Sequence, residues 1–308
     1  MFDLGKHLSA AEQWSKMLLK SGIFFWLGTV TVWFWHFEAS ERVKLWESLV
    51  AKTLTLNALQ ASLITLICFL VITGVASLVK MTELFVLRLL EGYHYPRFFN
   101  KMLMTWQNDQ IDNIEQQLQT LYQKQHEPAG LSTEDTQQLL KFERALQDIP
   151  ETATQRMPTR LGNLLRKMEL YPQQRYGLNV FVCWPHLWLV MPDKTKEEIS
   201  NARDRLNEAA QTWMWGILWM VFSFYFCAWW AVLASLLVVL SAYYLIILKA
   251  ASTYGKLVEA SFDLYRFSLY QALHFSLPTT PAEELKHGAE VTQYLLRGSD
   301  SQTLTFEK

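Results

Sequence analysis

The chain has 308 residues and a formal net charge of −1, so its overall charge gives no indication of a nucleic-acid-binding surface. Hydrophobic residues make up 51% of the sequence and aromatic residues 14%, including 13 Trp. This composition is typical of a membrane protein, because Trp and Tyr favour the bilayer interface. Cys68, Cys183 and Cys227 are widely spaced, so we expect buried free thiols and neither disulfides nor a metal site.

Four apolar segments lie along the chain. Residues 22–37 would form a helix of roughly 25 Å, slightly short for a ~30 Å hydrocarbon core unless Met17–Lys20 extend it. Residues 56–79 are long enough to span. Residues 212–248 carry no charge and would form a single helix of about 55 Å, so we predict two spans with a turn near Cys227–Trp230. The sequence therefore predicts an all-α membrane protein with four transmembrane helices and a helical cytosolic domain.

Basic residues flank these segments mainly on one side of the membrane. They place both termini and the middle of the chain in the cytosol of a bacterium, as a multi-pass inner-membrane protein. The N-terminal residues lack a cleavage site, so we expect a retained amphipathic segment and no signal peptide. We divide the chain into residues 1–80 with the N-terminal segment and spans 1 and 2, residues 81–211 as a cytosolic helical domain, residues 212–249 with spans 3 and 4, and residues 250–308 as C-terminal helices with a flexible tail.

The cytosolic domain begins with a predicted helical hairpin. Its first helix carries apolar residues at heptad positions, namely Ile111, Ile114, Leu118 and Leu121. The sequence HEPAG at 126–130 breaks it. Ser132 and Asp135 resemble the start of a capping box, and an apolar stripe follows on the second helix at Leu139, Phe142, Leu146 and Ile149. The two helices pack either within one subunit or between subunits.

A basic strip follows the hairpin, with five cations, Arg156, Arg160, Arg166, Lys167 and Arg175, and one acid, Glu169. A capped helix N-terminus and Arg side chains suit phosphate, and tyrosine rings stack on bases. The candidate ligand-binding residues are Thr159, Arg160, Asn163, Arg166, Arg175 and Tyr176. Two alternatives remain: contact with anionic lipid headgroups, and internal ion pairs, for instance with Asp263 or Glu259.

The apolar stretch GLNVFVCWPHLWLVMP at 177–192 is too short and too interrupted to cross a membrane. Trp184, His186 and Trp188 are aromatic residues with polar tips that suit the headgroup layer, so we predict an interfacial or re-entrant segment near the cytosolic face. The alternative is a buried hydrophobic plug inside the cytosolic domain.

Span 2 carries a stripe of hydroxyl residues that is broken by Phe69 and consists of Thr55, Ser62, Thr65, Thr73 and Ser77, of which the last four are the candidate pore-lining residues. Such a stripe lines a water-filled path or forms a helix-packing surface. Spans 2, 3 and 4 contain no titratable Asp, Glu, Lys, Arg or His, which argues against proton-coupled transport. The sequence has none of the phosphate-binding, metalloprotease or hydrolase motifs that we sought. We therefore expect no enzyme activity, no cofactor and no metal.

The segments TRLGNLLRKMELYPQQRYG, WPHLW and YGKLVEASFDLYRFSLYQAL, within residues 155–285, resemble a widespread bacterial membrane family. Their arrangement also resembles the transmembrane effectors of the Hailong antiphage defence system. The resemblance implies an oligomeric channel that binds an oligonucleotide signal from a cytosolic enzyme and depolarises the infected cell. It carries over no ligand residues. Further residues are nominated by motif and chemistry alone: Gly162, Gly177, Tyr254, Gly255, Asp263, Tyr265 and Arg266.

The leading hypothesis is a homo-oligomeric inner-membrane effector, an ion channel gated by a nucleotide or short oligonucleotide at its cytosolic domain. Its expected partners are membrane lipid, further copies of the chain, the ligand and a signal-producing enzyme. The alternative is a non-conducting membrane scaffold that recruits a cytosolic partner through the hairpin.

Overall fold

The computed structural model describes residues 22–126 and 131–298, which are almost entirely helical and contain no β-strand. The N-terminal amphipathic segment, the extension of span 1 at Met17–Lys20 and most of the flexible tail were predicted on residues outside these ranges, as was most of the break at 126–130. The helices are α1 (Gly22–His36), α2 (Ala39–Thr55), α3 (Ala58–Met81), α4 (Glu83–Glu91), α5 (Arg97–Gln125), α6 (Thr133–Leu146), α7 (Arg160–Tyr176), α8 (Val180–Val190), α9 (Asp193–Tyr225), α10 (Trp229–Ser241), α11 (Leu248–Ala272) and α12 (Pro281–Arg297).

The chain divides into two compact units. The first unit contains the described residues up to Leu87 together with Asn207–Ile247, and the second contains Arg88–Leu206 and the residues from Leu248 onward. Helix α9 begins in the second unit and ends in the first. A π-helical segment, Ala242–Ile247, joins α10 to α11, so the helix is continuous from Trp229 to Ala272.

In the first unit, α1, the end of α9 and α10 pack through small residues and aromatic rings. Gly28 lies against the indole of Trp219, and the rings of Phe25 and Trp215 are 4.8 Å apart. Gly216 lies against Val239 on α10. The chain turns between Tyr225 and Trp229, where Cys227 has φ 53°. This confirms the predicted turn.

Two helices, Ala58–Met81 and Trp229–Ala272, are long and apolar enough to cross a membrane. They support membrane association by length and composition. Helix α1 has 15 residues and is about 22 Å long, shorter than the predicted span. The described part of the chain therefore supports two spans on these criteria, and the prediction of four remains a proposal.

Helix α2 lies between the first two apolar segments, where the sequence analysis assigned no helix. It is a 17-residue helix with no buried residue. The expectation of buried thiols is correct for Cys183 alone, because Cys68 and Cys227 are exposed in the chain.

The second unit has its core around α11. Phe262, Leu269 and Tyr270 are fully buried among side chains of α7, α8 and α12. The predicted hairpin of α5 and α6 is confirmed and packs within one chain, through Leu118, Leu121 and Leu139. The predicted cap is also confirmed, since the Ser132 hydroxyl accepts a hydrogen bond of 3.1 Å from the Asp135 amide.

Candidate functional site

The N-terminus of α7 is built from two of the predicted ligand-binding residues. The Thr159 hydroxyl accepts a hydrogen bond from the Gly162 amide (2.9 Å) and donates one to the Glu91 carbonyl oxygen (3.0 Å). The Asn163 Oδ1 accepts from the Met157 amide at 2.6 Å, and the side chain is fully buried. Both residues fix the loop before α7, as expected of an N-cap, so their oxygen atoms are already engaged within the protein.

Two cations of the basic strip are neutralised within the protein, Arg156 by tertiary contacts and Arg166 by a neighbour on its own helix. Arg156 is 8% exposed, and its guanidinium bonds the Glu115 carboxylate (3.2 Å) and the backbone carbonyls of Pro150 (3.2 Å) and Glu151 (3.3 Å). Arg166 pairs with Glu169 at 3.1 Å. These contacts bear out the interpretation of the strip as a source of internal ion pairs, with acids other than the two that were suggested.

Arg160 and Arg175 lie near opposite ends of α7. They are 15 residues apart, which corresponds to a rise of about 22 Å along the helix. A single phosphate cannot contact both, so the six candidate residues do not form one compact phosphate site. Arg160 is exposed and has no hydrogen bond or ion pair within the described residues.

Arg175 and Tyr176 belong to a polar cluster. It is built from the segment TRLGNLLRKMELYPQQRYG, which contains α7, and the segment YGKLVEASFDLYRFSLYQAL on α11. The Tyr176 hydroxyl donates to Asp263 Oδ1 on α11 at 2.6 Å, and the Tyr171 hydroxyl donates to the same oxygen at 3.0 Å. The exposed Arg175 donates to the Tyr171 hydroxyl at 3.1 Å and stacks over the Tyr171 and Tyr176 rings. We call Tyr171, Arg175, Tyr176, Asp263 and Arg266 the tyrosine–aspartate cluster.

Arg266 closes this cluster from its other side. Its guanidinium lies 4.3 Å from the centre of the Tyr176 ring, donates to the Asp263 carbonyl, and bonds the Glu284 carboxylate on α12 at 2.6 Å. Burial, followed by the hydrogen bond to Asp263, raises the pKa of Tyr176. Both tyrosines are therefore neutral donors near pH 7, and the cluster ties α7, α11 and α12 together.

The motif glycines permit close packing around the cluster. Gly177 ends α7 with φ 74°, and a Cβ there would overlap the Leu285 carbonyl of α12. Gly255 lies on Leu164 and Met168. The other nominated residues make ordinary tertiary contacts: the Tyr265 hydroxyl bonds the Thr195 hydroxyl (3.0 Å), and Arg203 stacks over Tyr254.

An acidic pair that the sequence analysis did not identify lies elsewhere in the second unit. Burial, and then the nearby Glu169 carboxylate, raise the pKa of Glu91 to about 7, while Arg203 and Arg88 act in the opposite direction. Glu91 and Glu169 are 78 residues apart in sequence, so only the tertiary structure reveals that they interact. Glu91 is therefore a carboxyl group whose pKa lies near neutral pH, and burial also raises the pKa of Glu169.

Helix α8 carries the three predicted interfacial residues, and one of its faces belongs to the core of the second unit. Its Val180, Cys183 and Leu187 belong to the core, and the Trp184 ring packs on Phe262 with 6.0 Å between centroids. His186 Nδ1 lies 3.2 Å from the Val182 carbonyl, within its own helix, and Trp188 is half-buried. The buried-plug alternative therefore describes one face of α8. Phe181 and Leu189 are 66% and 76% exposed and form its free apolar face.

The hydroxyl stripe of α3 bonds to its own helix. Ser62, Thr65, Thr73 and Ser77 each donate to a carbonyl three or four residues earlier, at 2.8–2.9 Å. Hydroxyls satisfied in this way tolerate water or an apolar neighbour equally well. Neither the pore nor the packing interpretation is excluded.

A cavity of about 320 Å³ lies in the second unit beside the hairpin. Glu115, Glu143, Arg156 and Lys167 are among its lining residues, and the Tyr122 hydroxyl donates to Glu143 at 2.7 Å. Arg156 already bonds Glu115, so the cavity does not favour a phosphate. No cluster of His, Cys, Asp or Glu in the described ranges could hold a metal ion.

In comparisons with known proteins, the sequence matches no protein family and no curated protein, and the structure matches no solved structure. The functional argument therefore depends on the residues and their geometry.

Proposed function

We propose that the chain forms a homo-oligomeric ion channel in a bacterial inner membrane, with both termini in the cytosol, and that its second unit controls opening. Four helices would cross: α1, α3, the apolar end of α9 and α10. The two long apolar helices support membrane insertion. The packing of α1 and the end of α9 with α10 supports their insertion as one group.

Helix α3 is the proposed pore helix. Residues 61–70 are exposed over the whole helix surface, and Val79 is the only buried residue of α3. Such a surface is suited to contact with lipid and with other copies of the chain. The Ser62–Ser77 stripe would face the pore, because its hydroxyls need no protein partner and its neighbour Phe69 could close the path by excluding water.

The tyrosine–aspartate cluster carries the argument for gating. Arg175 is exposed, and one pair of tyrosines connects it to Asp263 on α11. Helix α11 is continuous with α10, a proposed membrane helix. An anionic ligand at Arg175 would compete for the guanidinium and weaken its contacts with the tyrosines. The ligand gates the channel only if its affinity differs between the open and closed states.

A nucleotide or short oligonucleotide fits this site best among anionic ligands. Arg175 offers a guanidinium to phosphate, and the partly exposed ring of Tyr171 would stack on a base. Tyr176, the tyrosine that the sequence analysis selected, is 5% exposed and is not available for stacking. With the resemblance to Hailong effectors, the proposal extends to depolarisation during phage infection, triggered by a ligand from a cytosolic enzyme. Phage plaque counts on cells that express this chain together with the ligand-producing enzyme test this extension.

The direct test is ion flux from dye-loaded liposomes that contain the full chain, with and without nucleotides and short oligonucleotides. We expect Arg175→Ala to weaken the ligand response at least about ten-fold, the size of one charge-assisted contact. Arg160→Ala is the matched control, because it removes the same residue type from the same helix. Asp263→Ala should change basal flux, since it removes the acceptor of both tyrosines.

The flux measurements distinguish the two possible ligand sites and the channel from the scaffold. Loss of response in Arg160→Ala with a normal Arg175→Ala would move the site to the N-terminus of α7. Absence of flux under every condition, from protein that is folded and inserted, would contradict the channel. It would favour the scaffold, with the α5–α6 hairpin as its recruiting surface.

A further inference from the structure

Helix α2 carries an apolar stripe that the described residues of the chain leave exposed. Val43, Trp46, Val50 and Leu54 follow one another at spacings of three, four and four, so they share one narrow face. They are 59%, 61%, 38% and 81% exposed. A helix with such a face, and without a buried residue, requires another surface to cover it.

The chain connections on both sides of α2 limit where that surface is. Helix α1 ends at His36 and α3 begins at Ala58, so two residues join α2 to the apolar helix on each side. A connection of this length spans at most about 10 Å. Wherever α1 and α3 enter the bilayer, α2 must lie within this distance of its surface. The contact of Trp46 with Phe34 of α1, 6.5 Å between ring centroids, agrees with this position.

The exposed charges of α2 are balanced. Glu41 and Glu47 offset Lys44 and Lys52, while Arg42 is half-buried and stacks over Trp35 at 4.6 Å. An interfacial helix of this kind is held by its buried apolar area, because electrostatic attraction to anionic lipid needs a net positive charge. The surface that covers α2 therefore need not be anionic.

We propose that α2 lies flat in the headgroup layer on the periplasmic face of the bilayer, with Val43, Trp46, Val50 and Leu54 turned toward the acyl chains. The occupant of the stripe is phospholipid, whatever its headgroup charge. The inference rests on the proposed function in that α1 and α3 must cross the membrane. With 17 residues, α2 is about 25 Å long. It would thus hold the ends of α1 and α3 this far apart.

Photo-crosslinking of the full chain in bilayers tests the position. The amino acid p-benzoylphenylalanine replaces Trp46 or Val50 on the stripe, and Ser48 on the opposite face of α2 as the matched control. All three positions are exposed, so the probe should leave the fold unchanged. A fourth probe replaces Ile67, which lies in the middle of α3 on the face opposite the hydroxyl stripe and reports whether α3 is in the membrane. Mass spectrometry identifies the adducts in phosphatidylcholine bilayers, with and without phosphatidylglycerol.

We expect lipid adducts at positions 46 and 50 that exceed those at position 48 by at least about five-fold, in either lipid mixture. Adducts between two copies of the chain at positions 46 and 50 would overturn the inference in favour of a subunit interface. Lipid adducts at position 67 without any at 46 and 50 would overturn it while leaving the span intact. Absence of lipid at position 67 would remove its premise as well. Lipid adducts at 46, 50 and 67 from protein without ion flux would contradict the channel and leave the inference standing.

Discussion

Replacing Glu91 by Gln tests the acidic pair in the second unit. The pKa of Glu91 rises from its ordinary 4.5 to about 7, chiefly through burial and then through Glu169. A carboxyl group with a raised pKa destabilises the fold increasingly as the pH rises from 4.5 through 7, because the folded state holds its proton more tightly than the unfolded state. Above pH 7 the full cost is present.

The magnitude follows from the shift. A rise of about 2.5 in the pKa of Glu91 would correspond to a loss of roughly 3 kcal/mol in folding stability. Because Glu91 is only partly buried, solvent screening reduces this expected loss to about 1–2 kcal/mol. Glu91→Gln removes this cost. We expect it to raise Tm by about 2–8 °C at pH 8 and to change it little at pH 5, where the wild-type group is protonated in the folded state.

Thermal unfolding in detergent, followed by tryptophan fluorescence at a series of pH values, measures the difference. Glu169→Gln is the companion variant, since removal of its charge should shift the midpoint of the pH dependence to lower pH. An equal Tm change at pH 5 and pH 8, or a loss of stability at pH 8, would refute the reasoning.

Three further substitutions test the packing of the second unit. Gly288→Ala should destabilise by about 2–3 kcal/mol, because its Cβ would overlap a carbonyl at the end of α7, whereas Gly74→Ala, in open space, should not. Leu187→Ala should cost about 2–4 kcal/mol and Leu189→Ala nearly nothing, since they are 0% and 76% exposed. Thr159→Ala should cost about 1 kcal/mol through loss of the cap, with recovery in the Ser variant. Each is measured as a Tm difference; equal losses within a pair would contradict the assigned packing.

Local chemistry explains which elements were predictable. The hairpin follows from heptad spacing and from the Ser132 cap, and the turn at Cys227 follows from the length of an uncharged run that exceeds one bilayer. These signals act between residues close in sequence. Helix α2 was missed because its apolar positions alternate with charges of both signs, which resemble a polar loop until their spacing is counted.

The candidate site was less predictable, because a cation's partners do not follow from its neighbours. Arg156 is neutralised by Glu115, 41 residues earlier. Tyr176 bonds Asp263, 87 residues later. The sequence analysis counted both Arg156 and Arg175 as part of one basic strip, and the tertiary structure buries the first and leaves the second exposed.

The sequence by itself determined that the protein is helical, that it carries apolar helices long enough for a membrane, and where the hairpin and the last apolar turn occur. These properties depend on periodicity, capping and length, which act over a few residues. Only the tertiary structure decided which cations remain free, which face of α8 is buried, and that the two motifs meet at Asp263. Those outcomes depend on contacts between residues far apart in the chain, where packing and the burial of charge select the partners.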